Sequence, residues 1–232
     1  MHNGGLGRTL ANPYAPTALE RVNGQLHMTD DLLTNSRGTP VGGKPRLVLA
    51  SASPRRRDLL IQIGITADVI VPANVEEAPH RSELPAQLAR RLSLAKADKV
   101  AADYADAFVL GADTVVACGR RVLPKAESDS DAHSCLIMLS GRRHRVYGGV
   151  TVVSPEGIKR TRVVTTVVSF KSLAKKEIDI YLASGEWQGK AGGYAIQGRA
   201  ASFVRFISGS YTNVVGLPVF EVAQLLTGLG YK

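Results

Sequence analysis

From Arg46 onward the chain alternates between short unbroken apolar runs and stretches in which apolar residues recur every three or four positions. The run Leu47-Val48-Leu49-Ala50 reads as a buried strand and Ser51-Ala52-Ser53 as the turn after it. Ser53 suits an N-cap and Pro54 a first helical position, with Leu59, Leu60 and Ile63 as the apolar face and Gly64 as the stop. A second strand is expected over 68–71. A long helix follows over 83–104, capped by Ser82, with Leu84, Leu88, Leu92 and Ala95 along one side. Two β-rich segments, 108–111 and 114–118, flank Asp113, and Gly119-Arg120 turns back into Val122-Leu123. Asp129 and Asp131 suit the first turn of a helix ending at Gly141. Strands over 146–153 and 158–170 make a long hairpin around Ser154-Pro155-Glu156-Gly157. A helix over 175–183, a Gly-rich loop over 185–198, a strand over 202–207 and a C-terminal helix over 218–226 complete the series. Helices and strands alternate, yet the hairpins demand a mixed sheet, so the class is α/β.

The first 45 residues carry neither period. They hold seven Gly and four Pro but a single aromatic, Tyr14, which is the composition of a flexible extension. Residues 46–232 are then the folded domain. With 44% hydrophobic and 21% charged residues over 232 positions, the chain has the make-up of a globular protein, and no apolar run approaches the ~18 residues that span a bilayer. The start lacks a secretory h-region, so a cytoplasmic location is expected. Cys118 and Cys135 have no partners at ligand spacing and read as buried thiols. Lys and Arg outnumber Asp and Glu by 29 to 20, which favours an anionic partner, either a polymer or a small phosphate.

Candidate chemistry begins at Ser51-Ala52-Ser53-Pro54-Arg55-Arg56-Arg57, which gathers backbone N–H groups, hydroxyls and guanidiniums at one helix N-terminus, where phosphate binds well. A capped helix with a basic solvated face is the alternative, and three consecutive arginines diverge on a helix, so at most two reach one ligand. Glu76-Glu77 and Asp113 are acidic counterparts, and Lys96 and Lys125 are further cations, although spacing alone does not bring these five together. No Walker A loop, hydrolase triad or G-x-S-x-G elbow is present, and the five histidines show no ligand spacing. Within the Gly-rich loop, Tyr194 and Gln197 offer a face and an amide to a flat ligand.

Taken in order, L-A-S-A-S-P-R-R (49–56), V-E-E (75–77), G-A-D-T-V-V (111–116), L-S-G-R-R-H (139–144), K-A-G-G-Y-A-I-Q-G (190–198) and G-S-Y-T-N-V-V-G-L-P (209–218) resemble the Maf (septum formation) nucleoside triphosphate pyrophosphatases. The resemblance covers about 180 residues. It implies a cytoplasmic enzyme that cleaves a nucleoside triphosphate between the α and β phosphates, with a divalent cation, Mg²⁺ or Mn²⁺, as cofactor. It further implies a homodimer and a single elongated α/β domain, with a mixed β-sheet and a cleft between two lobes. Carried over position by position, the catalytic base falls on Asp113 and its acidic metal partner on Glu77. Phosphate-binding groups fall on Ser51, Arg55, Arg56, Lys96 and Lys125, and residues tied to base choice on Arg55, Thr114 and Gln197.

Asp113-Thr114 with Arg55 and Gln197 resembles the branch preferring dTTP and UTP. A Gln amide can donate to O4 and accept from N3–H of uracil or thymine, whereas cytosine reverses that pattern. Such an amide must be held by neighbours such as Thr114 or the loop backbone. The sequence departs from the family at Ala126, where Pro is usual, and residues 1–45 have no counterpart. The charge of +9 and the family's name also admit a non-catalytic nucleotide- or nucleic-acid-binding regulator of cell division. That alternative predicts oligonucleotide binding that falls steeply with salt, and the enzyme predicts metal-dependent turnover of mononucleotides.

Overall fold

In the computed structural model, which describes residues 45–232, the apolar run is strand β1 (Leu47–Ala50), with every residue buried. Helix α1 (Pro54–Gln62) follows, then β2 (Val69–Ile70), α2 (Pro85–Ala101), β3 (Phe108–Cys118) and β4 (Arg121–Leu123). Next come α3 (Asp129–Leu139), β5 (Arg143–Val153), β6 (Lys159–Phe170) and α4 (Lys175–Ala183). A 3-10 turn (Arg199–Phe203), β7 (Val204–Ser208), α5 (Tyr211–Val215) and α6 (Val219–Gly228) end the chain. The seven strands form one sheet in the order β2-β1-β3-β5-β6-β7, with β4 paired to β3. β1 runs parallel to β2 and β3 and all other pairs are antiparallel, so the expected mixed α/β architecture holds. The extension expected over 1–45 lies outside the described residues, save Pro45.

Several boundaries differ from the pattern-based expectation. α2 starts at Pro85, whose fixed φ suits a first helical position; Ser82 sits in the preceding turn at φ 63 and caps nothing. The cap contact instead runs from the Leu84 N–H to the Gln87 side-chain carbonyl at 3.0 Å. β3 is one strand of 11 residues passing straight through Asp113, not two segments flanking it. Residues 199–203 coil before β7, and α5, five residues long, is too short to leave a periodic trace. Cys135 is buried as expected, whereas Cys118 is half-buried.

What positions the later chemistry is the contact of α2 with the sheet. A Cβ at Gly111 would lie 2.4 Å from the Ser93 carbonyl oxygen, and one at Gly149 would lie 2.0 Å from that of Ala89. Glycine at these two paired neighbourhoods lets α2 lie directly on β3 and β5. The other sheet face carries the main core, in which Leu47, Leu49, Leu60, Leu110, Leu136, Val150, Phe170 and Leu226 are buried. Among the described residues no helix is long and apolar enough to cross a membrane.

Candidate active site

β3 has one edge fully paired, to β5, and one edge shared. β1 covers Phe108 to Gly111 and β4 covers Val116 to Cys118, so residues 112–115 face no strand on that side. Asp113 and Thr114 sit in this gap and, because side chains alternate along a strand, point to opposite sheet faces. A cavity of about 450 Å³ opens there, beside the end of β1. That is where a chain leaving a parallel strand commonly creates a binding crevice. Ser51, Arg55, Arg56, Glu77, Lys96, Asp113, Thr114, Lys125 and Gln197 all line it. Residues from sequence positions far apart therefore meet.

On the α2 face the close approach at Gly111 brings Lys96 against Asp113. The Lys96 ammonium donates to Asp113 Oδ1 and to Glu77 Oε1, both at 2.6 Å, and Lys125 reaches Glu77 Oε2 at 2.5 Å. Lys96 and Asp113 are buried; Lys125 is about half exposed. Burial opposes the charge on Glu77, but hydrogen bonds from Lys125 and Lys96 outweigh it and hold this carboxyl at about 2. Asp113 Oδ2 accepts nothing from the described residues. Glu76 stays outside the group, its carboxylate accepting the Ala78 N–H at 2.9 Å.

The consecutive arginines have different surroundings. Arg56 is buried, with Nε donating to Gly216 O at 2.9 Å, NH1 to Ala112 O at 2.7 Å and Ser51 Oγ at 2.9 Å, and NH2 to Thr114 Oγ1 at 3.2 Å. Its fork fills the open edge of β3 and ties β1, β3 and the end of α5 together. Burial lowers its pKa and the charge of Asp113 opposes that shift. Nearly all its donors end on protein oxygens among the described residues, a bonding pattern that braces the cavity wall it lines. Among the described residues the Arg55 side chain makes one bond, Nε to Val215 O at 3.2 Å, and both its amino groups remain available. Ser51 Oγ accepts from Arg56 and from the Ser53 N–H at 3.2 Å, leaving its own proton to offer.

Thr114 donates to Gly216 O at 3.4 Å while accepting from Arg56, so of the two holders expected for Gln197, Thr114 and the loop backbone, Thr114 is engaged elsewhere. Gln197 is exposed, and its position is set by backbone. Gly198 N–H donates to Ala195 O at 3.1 Å, and Ala195 N–H to the Tyr181 hydroxyl at 3.0 Å. The same loop bridges to Lys125 at Ala191 and meets β3 at Gly192, where φ is +71 and a Cβ would lie 2.8 Å from Val116 Cγ1. Tyr194 anchors it from below through a 2.8 Å bond with His144 Nε2.

Composition gave no sign of this anchor, because His144 stands alone in sequence and acquires its partner 50 positions later. Phe170 and Tyr194 contact the His144 ring edge-on, and burial pushes the imidazole down to about 4. An unfolded histidine titrates near 6.5, so the unfolded chain binds the extra proton first. Stability is complete above about pH 6.5 and falls by roughly 3 kcal/mol as pH drops to about 4. Thermal unfolding followed across this window will show that decline, and His144→Phe will flatten it. An equally steep decline in the variant would assign it elsewhere.

Glu77 and Asp113 converge on one cation, the Lys96 ammonium, using oxygen donors alone. No group of three or more His, Cys, Asp or Glu side chains that could hold a metal occurs among the described residues. Mg²⁺ is commonly held by one or two carboxylates together with substrate phosphates, so this oxygen pair fits a hard divalent cation and not zinc.

The Maf-like protein family model matches residues 46–229. The chain is 60% identical over 185 residues to a dTTP/UTP pyrophosphatase of Paramagnetospirillum magneticum, covering 80% of this chain and 97% of that protein. Proteins of the same name from Mesorhizobium japonicum and Caulobacter vibrioides are 57% and 55% identical, over 81% of this chain and 93% and 97% of theirs. A family match spanning the sheet, the cavity and the loop that closes it, with relatives covered almost end to end, shows that this chain belongs to the Maf family.

Proposed function

We propose that this protein hydrolyses dTTP and UTP to the nucleoside monophosphate and pyrophosphate. The observation that carries the reading is one cavity with a carboxylate–lysine cluster and an arginine with free amino groups, in a chain whose relatives bear that name. A triphosphate carries about four negative charges, and its cleavage needs cations on the phosphoryl oxygens and an oriented water. Arg55, Lys96, Lys125 and the Ser51 hydroxyl bind and orient the phosphates, and Arg56 keeps their supports in place. Asp113 accepts the proton of the attacking water on Oδ2, while Lys96 on Oδ1 fixes the carboxylate's orientation. No covalent nucleophile is needed. Glu77 and Asp113 would hold Mg²⁺ or Mn²⁺, which when bound adds positive charge at the phosphates and acidifies water. With two of its three N–H donors on Glu77 and Asp113, Lys96 has one left for a phosphate oxygen.

Gln197, on a loop fixed by backbone and tyrosine contacts, reads the O4 and N3–H edge of the pyrimidine, with Arg55 and Thr114 shaping its surroundings. The thymine methyl adds apolar volume worth only ~1–3 kcal/mol, so a site open at that edge takes both bases. We assign the activity to residues 46–232 and, on the family resemblance, to a cytoplasmic homodimer. The test is a panel of pyrimidine and purine triphosphates and 7-methyl-GTP with Mg²⁺ or Mn²⁺, scored for both pyrophosphate and orthophosphate. Pyrophosphate from dTTP and UTP, less from CTP and little from purines is expected; orthophosphate release or a preference for 7-methyl-GTP would overturn the reading.

A further inference from the structure

The cavity's cations differ in how their charge is balanced. Lys96 and Lys125 share Glu77, and Lys96 also holds Asp113. Arg56 is bonded to carbonyls and hydroxyls. Beside Arg56, whose donors end on those oxygens, two cations lining the same space have no carboxylate within ion-pair distance among the described residues: Arg55 and Lys190. Arg55 is fixed by one bond to Val215 O. Among the described residues the Lys190 ammonium donates only to a carbonyl of its own loop, Gln188 O, at 2.8 Å.

Lys190 is nevertheless not a loose surface lysine. It is half-buried, its N–H donates to Trp187 O at 3.0 Å, and its carbonyl accepts the Ala126 N–H at 3.1 Å. The next residue, Ala191, bridges to Lys125. Its backbone is therefore stitched to the segment that carries Lys125, and the start of the side chain is set with it. Glu186, the acid whose field reaches Lys190, is turned to Arg199, accepting its N–H at 2.7 Å and lying 3.7 Å from its Nε. Burial lowers the Lys190 pKa and the Arg55 charge adds to the effect, with Glu186 opposing. Two like charges that burden each other in a shared cavity are relieved by an anion between them. A pyrimidine base offers acceptors but no charge, so it balances neither; a polyphosphate balances both.

We propose that Lys190 is a substrate-binding residue that, together with Arg55, grips the polyphosphate tail of the nucleotide. The proposal rests on the pyrophosphatase reading for the identity of the substrate, but the anion site itself can be tested apart from turnover. Wild type, K190Q and K190R are titrated calorimetrically with inorganic pyrophosphate and assayed with dTTP and CTP. Expected for K190Q is about tenfold weaker pyrophosphate binding and a KM raised by a similar factor for both nucleotides, as loss of one charge-assisted contact implies. Its thermal midpoint stays within about two degrees of wild type, since no buried partner is orphaned. K190R, which keeps the charge, stays within about threefold of wild type on both readouts.

Pyrophosphate binding by K190Q within about twofold of wild type, or no binding by wild type, would overturn the assignment. So would a changed dTTP-to-CTP preference with pyrophosphate affinity intact, which would move Lys190 to the base. If wild type binds pyrophosphate and K190Q does not, yet dTTP yields none, the anion site stands and the substrate reading fails. An active wild type with an indifferent K190Q fails Lys190 alone.

Discussion

Asp113→Asn is expected to lower kcat for dTTP by about 10²- to 10⁴-fold, the range a positioned general base contributes. The substitution keeps the size and planarity of the side chain, and its amide oxygen can still accept from Lys96. What it removes is the capacity to take a proton and the second carboxylate of the candidate cation pair. Lys96 is not left alone, because its bond to Glu77 at 2.6 Å does not involve Asp113. The variant should therefore fold, with a lower thermal midpoint, and should bind an uncleavable α,β-substituted triphosphate within about tenfold of wild type. Single-turnover measurements separate the chemical step from binding, and the loss should lie in the former. Activity within tenfold of wild type would remove Asp113 from the role of base.

How much of this was readable beforehand depends on what kind of signal each feature leaves. Strand β1 and the start of α1 were legible because an unbroken apolar run followed by Ser and Pro has few other outcomes. Asp113 looked like a break in β3 because a charged residue interrupts an apolar pattern. The strand continues because its other edge is paired to β5 throughout, and the carboxylate is accommodated by an ammonium from α2. That compensation comes from 17 residues earlier and has no local trace. All the candidate residues but Lys96 and Lys125 lie within the six ordered motifs, and the meeting of all of them in one cavity adds a geometric reason for that order. Lys190 lies within K-A-G-G-Y-A-I-Q-G, yet a lysine in a Gly-rich loop signals nothing by itself, since only the cavity shows which cations have no counter-charge among the described residues. The His144–Tyr194 anchor was invisible for a similar reason: each residue is ordinary until the fold brings the other to it.

The arginine pair shows the same limit most sharply, and it yields the second large effect. In sequence Arg55 and Arg56 are equivalent cations at a helix start, but consecutive helical residues diverge, and here one enters the gap in β3 while the other faces the cavity. Arg56→Lys keeps the charge but not the fork. An ammonium on a flexible stem cannot meet acceptors on Ser51, Ala112, Thr114 and Gly216 together, so buried oxygens lose their donor. Each unsatisfied buried group costs about 1–3 kcal/mol, and the expected loss of unfolding free energy is about 3–5 kcal/mol. Arg55→Ala, by contrast, removes one hydrogen bond from a half-buried side chain and should cost about 1 kcal/mol or less, while lowering kcat/KM for dTTP by more than tenfold. Urea unfolding and steady-state kinetics on both variants separate the two roles. The brace assignment fails if Arg56→Lys unfolds at the wild-type midpoint. The phosphate assignment for Arg55 fails if its loss of activity is no greater than its loss of stability explains. The division of labour predicts opposite signatures from adjacent, chemically identical residues, because one arginine's donors end on backbone carbonyls and hydroxyls while the other's two amino groups face the cavity.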